Sequence, residues 1–277
     1  MINSILLIST PILLAALGGL FTELSGVLNI ALEGLMLTGA FFAILITGVT
    51  GSITLGIVAA IISSTGLAYL FGFITLKFKA NIFITGLAAN LFAMGMINYL
   101  SEIIFNTKGV IRFSDNPKLS TIAGSNLFVF AGLLSTAAVA WIIYKTIFGL
   151  RVRASGYNSA VLKVKGVNPY SIQIKSILLS GAFSGLGGAA LSLNLGVFVP
   201  NMTAGRGWIA LVAIYLGRKH PLGIFITCLI FAGGEYFSNA AQGFFQIPSD
   251  LLLGFPYLIT LAGMIIFSIL KRPDINS

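Results

Sequence analysis

Runs of roughly twenty residues with no more than one charged side chain recur along this chain, and they leave few folds open. Apolar stretches occupy 4–20, 35–50, 52–76, 82–100, 126–144, 176–198, 221–238 and 251–270. Most are close to the ~20 residues that a helix needs to cross a bilayer core of ~30 Å. The runs are continuous rather than alternating, which sets a β-barrel aside. In lipid every backbone N–H and C=O must be paired internally, so helices remain. The run over 207–217 would be only ~16 Å long as a helix, too short to cross upright. It enters part way, or shares its crossing with irregular backbone that lines a cavity. The expected fold is an all-α polytopic membrane protein of about nine transmembrane helices (eight to ten), one of them short or discontinuous near 206–217. A single transmembrane domain over 1–277 accounts for the whole chain.

Charge gives the orientation. Only 8% of residues are charged and 57% are hydrophobic, with a mean hydropathy of +1.01, whereas soluble domains are about one quarter charged. The net charge of +9 sits at span ends rather than in a patch suited to nucleic acid: Lys77 and Lys79, Arg218 and Lys219, Lys271 and Arg272. The richest stretch, 145–175, holds Lys145, Arg151, Arg153, Lys163, Lys165 and Lys175 and no acidic residue. Cationic flanks resist translocation, so this stretch is cytoplasmic. Alternation then puts the N-terminus and the linker 101–125 outside and the C-terminus inside. The first apolar run has no basic region before it and reads as a span, not a cleaved signal.

Within the basic stretch, Asn158 is placed to cap a short helix over 159–165, and Gly166 to close it in the left-handed conformation. Asn168 and Pro169 read as cap and first residue of the next membrane-entering helix. The 159–165 helix is only ~10 Å long and unstable alone in water, so it needs a docking surface. Anionic lipid and a cytoplasmic protein are both open.

Polar residues at membrane depth are the other signal. Glu23, Asn29 and Glu33 are embedded in the apolar stretch 21–43, with Gly26 and Gly34 allowing a break or close packing. They face the protein interior or a polar path; alternatively, 21–33 is a surface loop and both glutamates are hydrated. Asn90 and Asn98, eight residues apart, share nearly one helical face and serve either as interhelical glue or as path lining. Gly181 and Gly185 form a small-xxx-small packing pair, Asn194 lies near the outer end of that span, and Arg206 is expected to face outer water. His220 reads as an interfacial structural residue. Cys228 is the only cysteine, so no intramolecular disulfide or zinc cluster is available. There is no P-loop and no H-E-x-x-H or G-x-S-x-G motif.

Three segments resemble ABC-importer permeases of the branched-chain amino acid, simple sugar and nucleoside group. The stretch GLRVRASGYNSAVLKVKGVNPYSIQIK is similar to their cytoplasmic coupling loop in Arg151, Arg153, Gly156, Asn158, Gly166 and Val167. It departs at Tyr157 and Ser159, where relatives often carry an acidic residue and a proline. NIALEGLMLTGAF resembles the run near the start of these permeases, and Glu33 resembles the nucleoside type in particular. GRGWIAL, then Gly217, Pro221 and Gly223, is similar to a third family segment.

The resemblance implies a permease that contacts a cytoplasmic ATPase through Arg151, Arg153, Gly156, Asn158, Val161, Leu162 and Gly166. It implies a substrate path touching Asn29, Glu33, Asn90, Asn98 and Asn194. ATP would be bound and hydrolysed on the partner subunit, so this chain holds no cofactor and is not itself an enzyme. The implied partners are that ATPase, a second permease chain forming a heterodimer, an external solute-binding lipoprotein and membrane lipid. The implied location is the bacterial cytoplasmic membrane. A sparse lining of amides and hydroxyls suits a nucleoside, with a sugar or branched-chain amino acid as alternatives. An ion-coupled secondary transporter using Glu33, a scaffold and a membrane enzyme with carboxylate-only chemistry are the competing classes.

Overall fold

The computed structural model describes residues 1–107, 109–112, 121–122 and 125–242. In chain order the helices are α1 (Ile2–Leu24), α2 (Leu32–Thr50), α3 (Ile53–Lys77), α4 (Ile82–Phe105), α5 (Leu127–Lys145), α6 (Ile147–Tyr157), α7 (Ser159–Val164), α8 (Pro169–Leu195), α9 (Arg206–Leu216) and α10 (Pro221–Gln242). Among the described residues four two-residue strands accompany them: β1 (Ile111–Arg112), β2 (Thr121–Ile122), β3 (Ser125–Asn126) and β4 (Val197–Phe198). Among the described residues seven helices are long and apolar enough to cross a membrane, namely α1 to α5, α8 and α10, with α9 as a shorter apolar helix. The expected span 251–270, Lys271 and Arg272 lie outside the described residues, as do Lys108, Asp115 and the Asn116–Pro117 turn.

Helix limits follow local chemistry. Asn81 accepts from the N–H groups of Phe83 and Ile84 at the start of α4, and Ser52 does the same for Leu55 in α3. Asn168 caps α8 with Pro169 in its first turn, as its sequence predicts. Gly51 and Gly196 end α2 and α8 with φ of 69° and 66°, a conformation that costs glycine nothing. The basic stretch is far more helical than its composition suggests. Thr146 accepts from Gly149 N–H and starts α6, so most of 145–175 is two helices and the beginning of α8.

The long helix α8 runs through the centre, against α1, α2 and α3. Its glycines let backbones touch. A Cβ on Gly181 would fall 2.6 Å from that of Ala68, and one on Gly39 of α2 would fall 2.6 Å from the Gly185 carbonyl. A Cβ on Gly188 would run into the Met36 carbonyl, which has no rotamer to escape into. Gly188→Ala is therefore expected to destabilise the protein by about 1–3 kcal/mol, read as a lower thermal midpoint in detergent. Around α8 the buried apolar side chains form clusters on the α1–α9–α10 side, on the α2–α8–β4 side and between α2 and α3. On the outer side β1 pairs antiparallel with β4, Ile111 opposite Phe198, which ties the 106–126 linker to the end of α8.

Candidate functional site

Two non-helical connections of this bundle, the breaks before α2 and before α9, meet. Between α1 and α2, residues 25–31 leave the helix, with Gly26 at φ 84°; between α8 and α9, 199–205 do the same. Val27, Asn29, Ile30 and Ala31 are buried, so 21–33 is not the hydrated surface loop that its carboxylates allowed. Irregular backbone at this depth needs partners for its polar groups, and side chains from neighbouring helices supply them. Asn90 of α4 donates to the Ile30 carbonyl at 3.0 Å and accepts from Gly34 N–H at 2.8 Å. Asn29 donates to Ser180 Oγ of α8 at 2.8 Å and accepts from Ala31 N–H at 3.1 Å. Ser64 of α3 donates to the Leu35 carbonyl at 2.7 Å.

Glu33 joins one break to the other. Its Oε1 accepts from Gly205 N–H at 2.8 Å and its Oε2 from Gly207 N–H at 2.7 Å, so the carboxylate sits on the N-terminus of α9. The first N–H groups of a helix have no internal partner and carry its positive dipole end, which favours a carboxylate there. Gly205 holds φ 82°, and a Cβ on Gly207 would collide with the Glu33 backbone; the two glycines make the approach possible. Arg206 between them corrects an expectation. It does not face outer water but is half-buried, ion-paired with Glu235 of α10 and donating to the Met202 carbonyl at 3.1 Å. The α9 helix is ~16 Å long from its cytoplasmic end, which sets this junction near the middle of a ~30 Å core.

Of the residues predicted for the path, Asn29, Glu33 and Asn90 are thus in one polar cluster. Asn98 lies ~12 Å further along α4, exposed beside Gly95, at which a Cβ would meet nothing within 4 Å. Asn194 is part-buried near the outer end of α8, ~21 Å along the helix from Ser180. Ser64, Ser180, Gly205 and Glu235 complete the junction; of these Ser64 and Ser180 escaped sequence reading. The Gly-Arg-Gly motif marked one side of it, but nothing in the chain order paired that motif with Glu33.

The cytoplasmic residues form a second unit. Asn158 accepts from Ala160 N–H at 3.0 Å and caps α7; Gly166, at φ 71°, closes it, with Val167 N–H on the Leu162 carbonyl at 2.9 Å. Leu162 is buried while Val161 and Val164 are 52% and 87% exposed, so α7 presents an apolar outer edge. Arg151 is exposed and the Arg153 guanidinium lies 5.4 Å over the Tyr144 ring. At the end of α6 the backbone of Gly156 packs on the Leu24 carbonyl and on Gly26. Ser155 Oγ and Gln173 Nε2 donate to the Ser25 carbonyl at 3.2 and 3.4 Å. The cytoplasmic arm therefore rests directly on the α1–α2 break. Next to it Lys219 pairs with Glu23 at 2.7 Å, Tyr215 donates to the same carboxylate at 3.0 Å, and His220 stacks on Tyr144.

Comparison with known proteins bears directly on this architecture. A family described as the branched-chain amino acid transport system permease component matches residues 1–267. The guanosine ABC transporter permease protein NupQ of Bacillus subtilis is 30% identical, over 94% of this chain and 89% of its own. The nucleoside ABC transporter permease protein NupC of Lactococcus lactis subsp. cremoris is 31% identical, over 96% and 91%. Among solved structures, an ABC transporter assigned to the metal-chelate type and captured facing inward superposes with a TM-score of 0.58. It is 17% identical, over 97% of this chain and 84% of that one, and supports the fold. With its apolar helices and basic cytoplasmic arm, the chain is a multi-pass permease subunit of an ABC importer in the cytoplasmic membrane, and it belongs to the family of branched-chain amino acid transport system permease components.

Proposed function

We propose that this permease carries nucleosides inward by alternating access, driven by ATP hydrolysis on a separate cytoplasmic subunit. The observation that carries the substrate class is the match, over more than nine-tenths of the chain, to permeases named for guanosine and for nucleosides. The site chemistry agrees with it. Broken helix ends at the bilayer midplane are where transporters hold their solutes, and besides Glu33 and the Arg206–Glu235 pair the junction here is built from amides, hydroxyls and backbone. Its carboxylates are occupied, Glu33 by two N–H groups and Glu235 by Arg206, as is Glu23 by Lys219 at the cytoplasmic flank. That disfavours an ion-coupled carrier, which needs a carboxylate open to a proton or sodium ion.

In this reading α7 is the contact for the ATPase and α6 carries its movement to the α1–α2 break. Movement is transmitted because the ATPase binds the arm differently in its two nucleotide states. The exposed edge of α4 that bears Gly95 and Asn98 faces a second permease chain across the path, since an amide at membrane depth is costly against lipid. The outer side, where β1 meets β4, receives a solute-binding lipoprotein.

The test is uptake of labelled guanosine and uridine by proteoliposomes containing the permease with its co-purifying subunits. ATP-dependent uptake that excess unlabelled nucleoside suppresses, and glucose or leucine does not, is expected. Suppression by glucose or leucine alone would overturn the substrate class, and uptake without ATP the importer mechanism. A second expectation concerns α7. Val161→Asp with Val164→Asp changes only exposed positions, so the permease should fold normally. It should lose its ATPase partner in a pull-down by more than about ten-fold, as two charges are placed in an apolar contact.

A further inference from the structure

The cytoplasmic flank carries a cavity, beside the arm, that the solute path does not use. It has a volume of about 530 Å³ and is lined by Glu23, Leu24, Leu150, Arg153, Gly156 and Lys219, among others. It opens between the end of α1, α6 and the α9–α10 turn. Its charges are unbalanced. Glu23 is neutralised by Lys219 and by the Tyr215 hydroxyl, whereas Arg153 has no carboxylate partner among the described residues. Among the described residues the Nε of Arg153 is buried without a hydrogen-bond partner, and its guanidinium lies over the Tyr144 ring.

Leu150, which lines the cavity, and Ile147, one turn before it on α6, are turned outward, 59% and 70% exposed. A basic cavity at the membrane surface, with exposed aliphatic side chains beside it, fits an amphiphile with an anionic head better than a free anion. We propose that this cavity holds the phosphate of an anionic phospholipid from the cytoplasmic leaflet. Arg153 is its principal ligand, and the acyl chains run along Ile147 and Leu150. A planar guanidinium fork suits a phosphate, and the cytoplasmic leaflet is where anionic headgroups concentrate. The bound lipid would brace α6 against the α1–α2 break, so the site belongs to the arm and not to the solute path.

The full chain, purified with the subunits that accompany it, would be titrated with phosphatidylglycerol, phosphatidylcholine and glycerol 3-phosphate, and retained lipid read by native mass spectrometry. Phosphatidylglycerol should be retained over phosphatidylcholine. Arg153→Gln should weaken that retention about five-fold, the effect of one cation at an anionic surface. Lys79→Gln, at the same membrane face but away from the cavity, should leave it unchanged. Equal retention by Arg153→Gln and the unaltered chain would overturn the site. Displacement by equimolar glycerol 3-phosphate would overturn the lipid in favour of a soluble phosphate. Should Arg153→Gln fail to accumulate, a photoreactive phosphatidylglycerol on the unaltered chain decides. Crosslinks within 147–157 or 217–219 support the assignment, and crosslinks confined to other segments sink it.

Discussion

Replacing Glu33 by alanine should abolish uptake and lower the thermal midpoint of the protein. The side chain is not a spectator in an apolar helix: both carboxylate oxygens are taken up by Gly205 and Gly207 N–H groups at 2.8 and 2.7 Å. Alanine leaves those donors without a protein acceptor in a part-buried junction. Each unsatisfied group costs about 1–3 kcal/mol, so the junction between α2 and α9 loses about 3 kcal/mol or more. Where the transporting state requires this junction, a deficit of that size lowers the population of that state, and transport with it, more than about a hundred-fold.

Graded substitutions separate this role from simple loss of charge. Glu33→Gln keeps one acceptor oxygen but turns an NH2 group toward the other N–H, so it should retain only part of the activity. Glu33→Asp keeps the charge on a shorter stem and should fall between Gln and Ala. A carboxylate used for proton coupling would give a different order, with Gln as poor as Ala. Uptake by the three variants, normalised to folded protein, reads that order directly.

Much of this architecture was legible because the bilayer imposes simple rules. Continuous apolar runs fixed α2 to α5 within a few residues, and lysines and arginines at their ends gave one orientation. The caps of α7 and α8 were read residue by residue, since Asn158, Gly166, Asn168 and Pro169 act locally. Two things were not legible, for one reason. That α6 is a helix depends on Thr146 and on packing against α1 and α5, and Arg206 looked like a surface residue until α10 brought Glu235 beside it. Likewise Asn90 was readable as a polar residue on a stripe, while its grip on Ile30 and Gly34 joins positions some sixty residues apart. Periodicity reports which face a residue takes and says nothing of which distant backbone waits there. The same holds for Glu33 and Gly205, 172 residues apart.

A side chain at Gly156 should uncouple the permease rather than unfold it. The Gly156 backbone lies against the Leu24 carbonyl and 3.0 Å would separate an added Cβ from Gly26 N, so the end of α6 can no longer seat on the α1–α2 break. Overpacking against backbone costs about 1–3 kcal/mol, and here the strain is relieved by lifting the arm. The α7 helix, with its Asn158 cap and exposed Val161 and Val164, is untouched, so the ATPase should still bind. In proteoliposomes Gly156→Val should therefore hydrolyse ATP at a rate near that of the unaltered transporter while moving solute more than about ten-fold more slowly. The ratio of ATP hydrolysed to solute moved is the quantity to measure. If hydrolysis and uptake fall together, the contact between α6 and the break serves assembly, and the route from arm to path runs elsewhere. If the ratio rises while the ATPase remains bound, movement of α7 reaches the Glu33 junction through Gly156, Ser25 and Asn29.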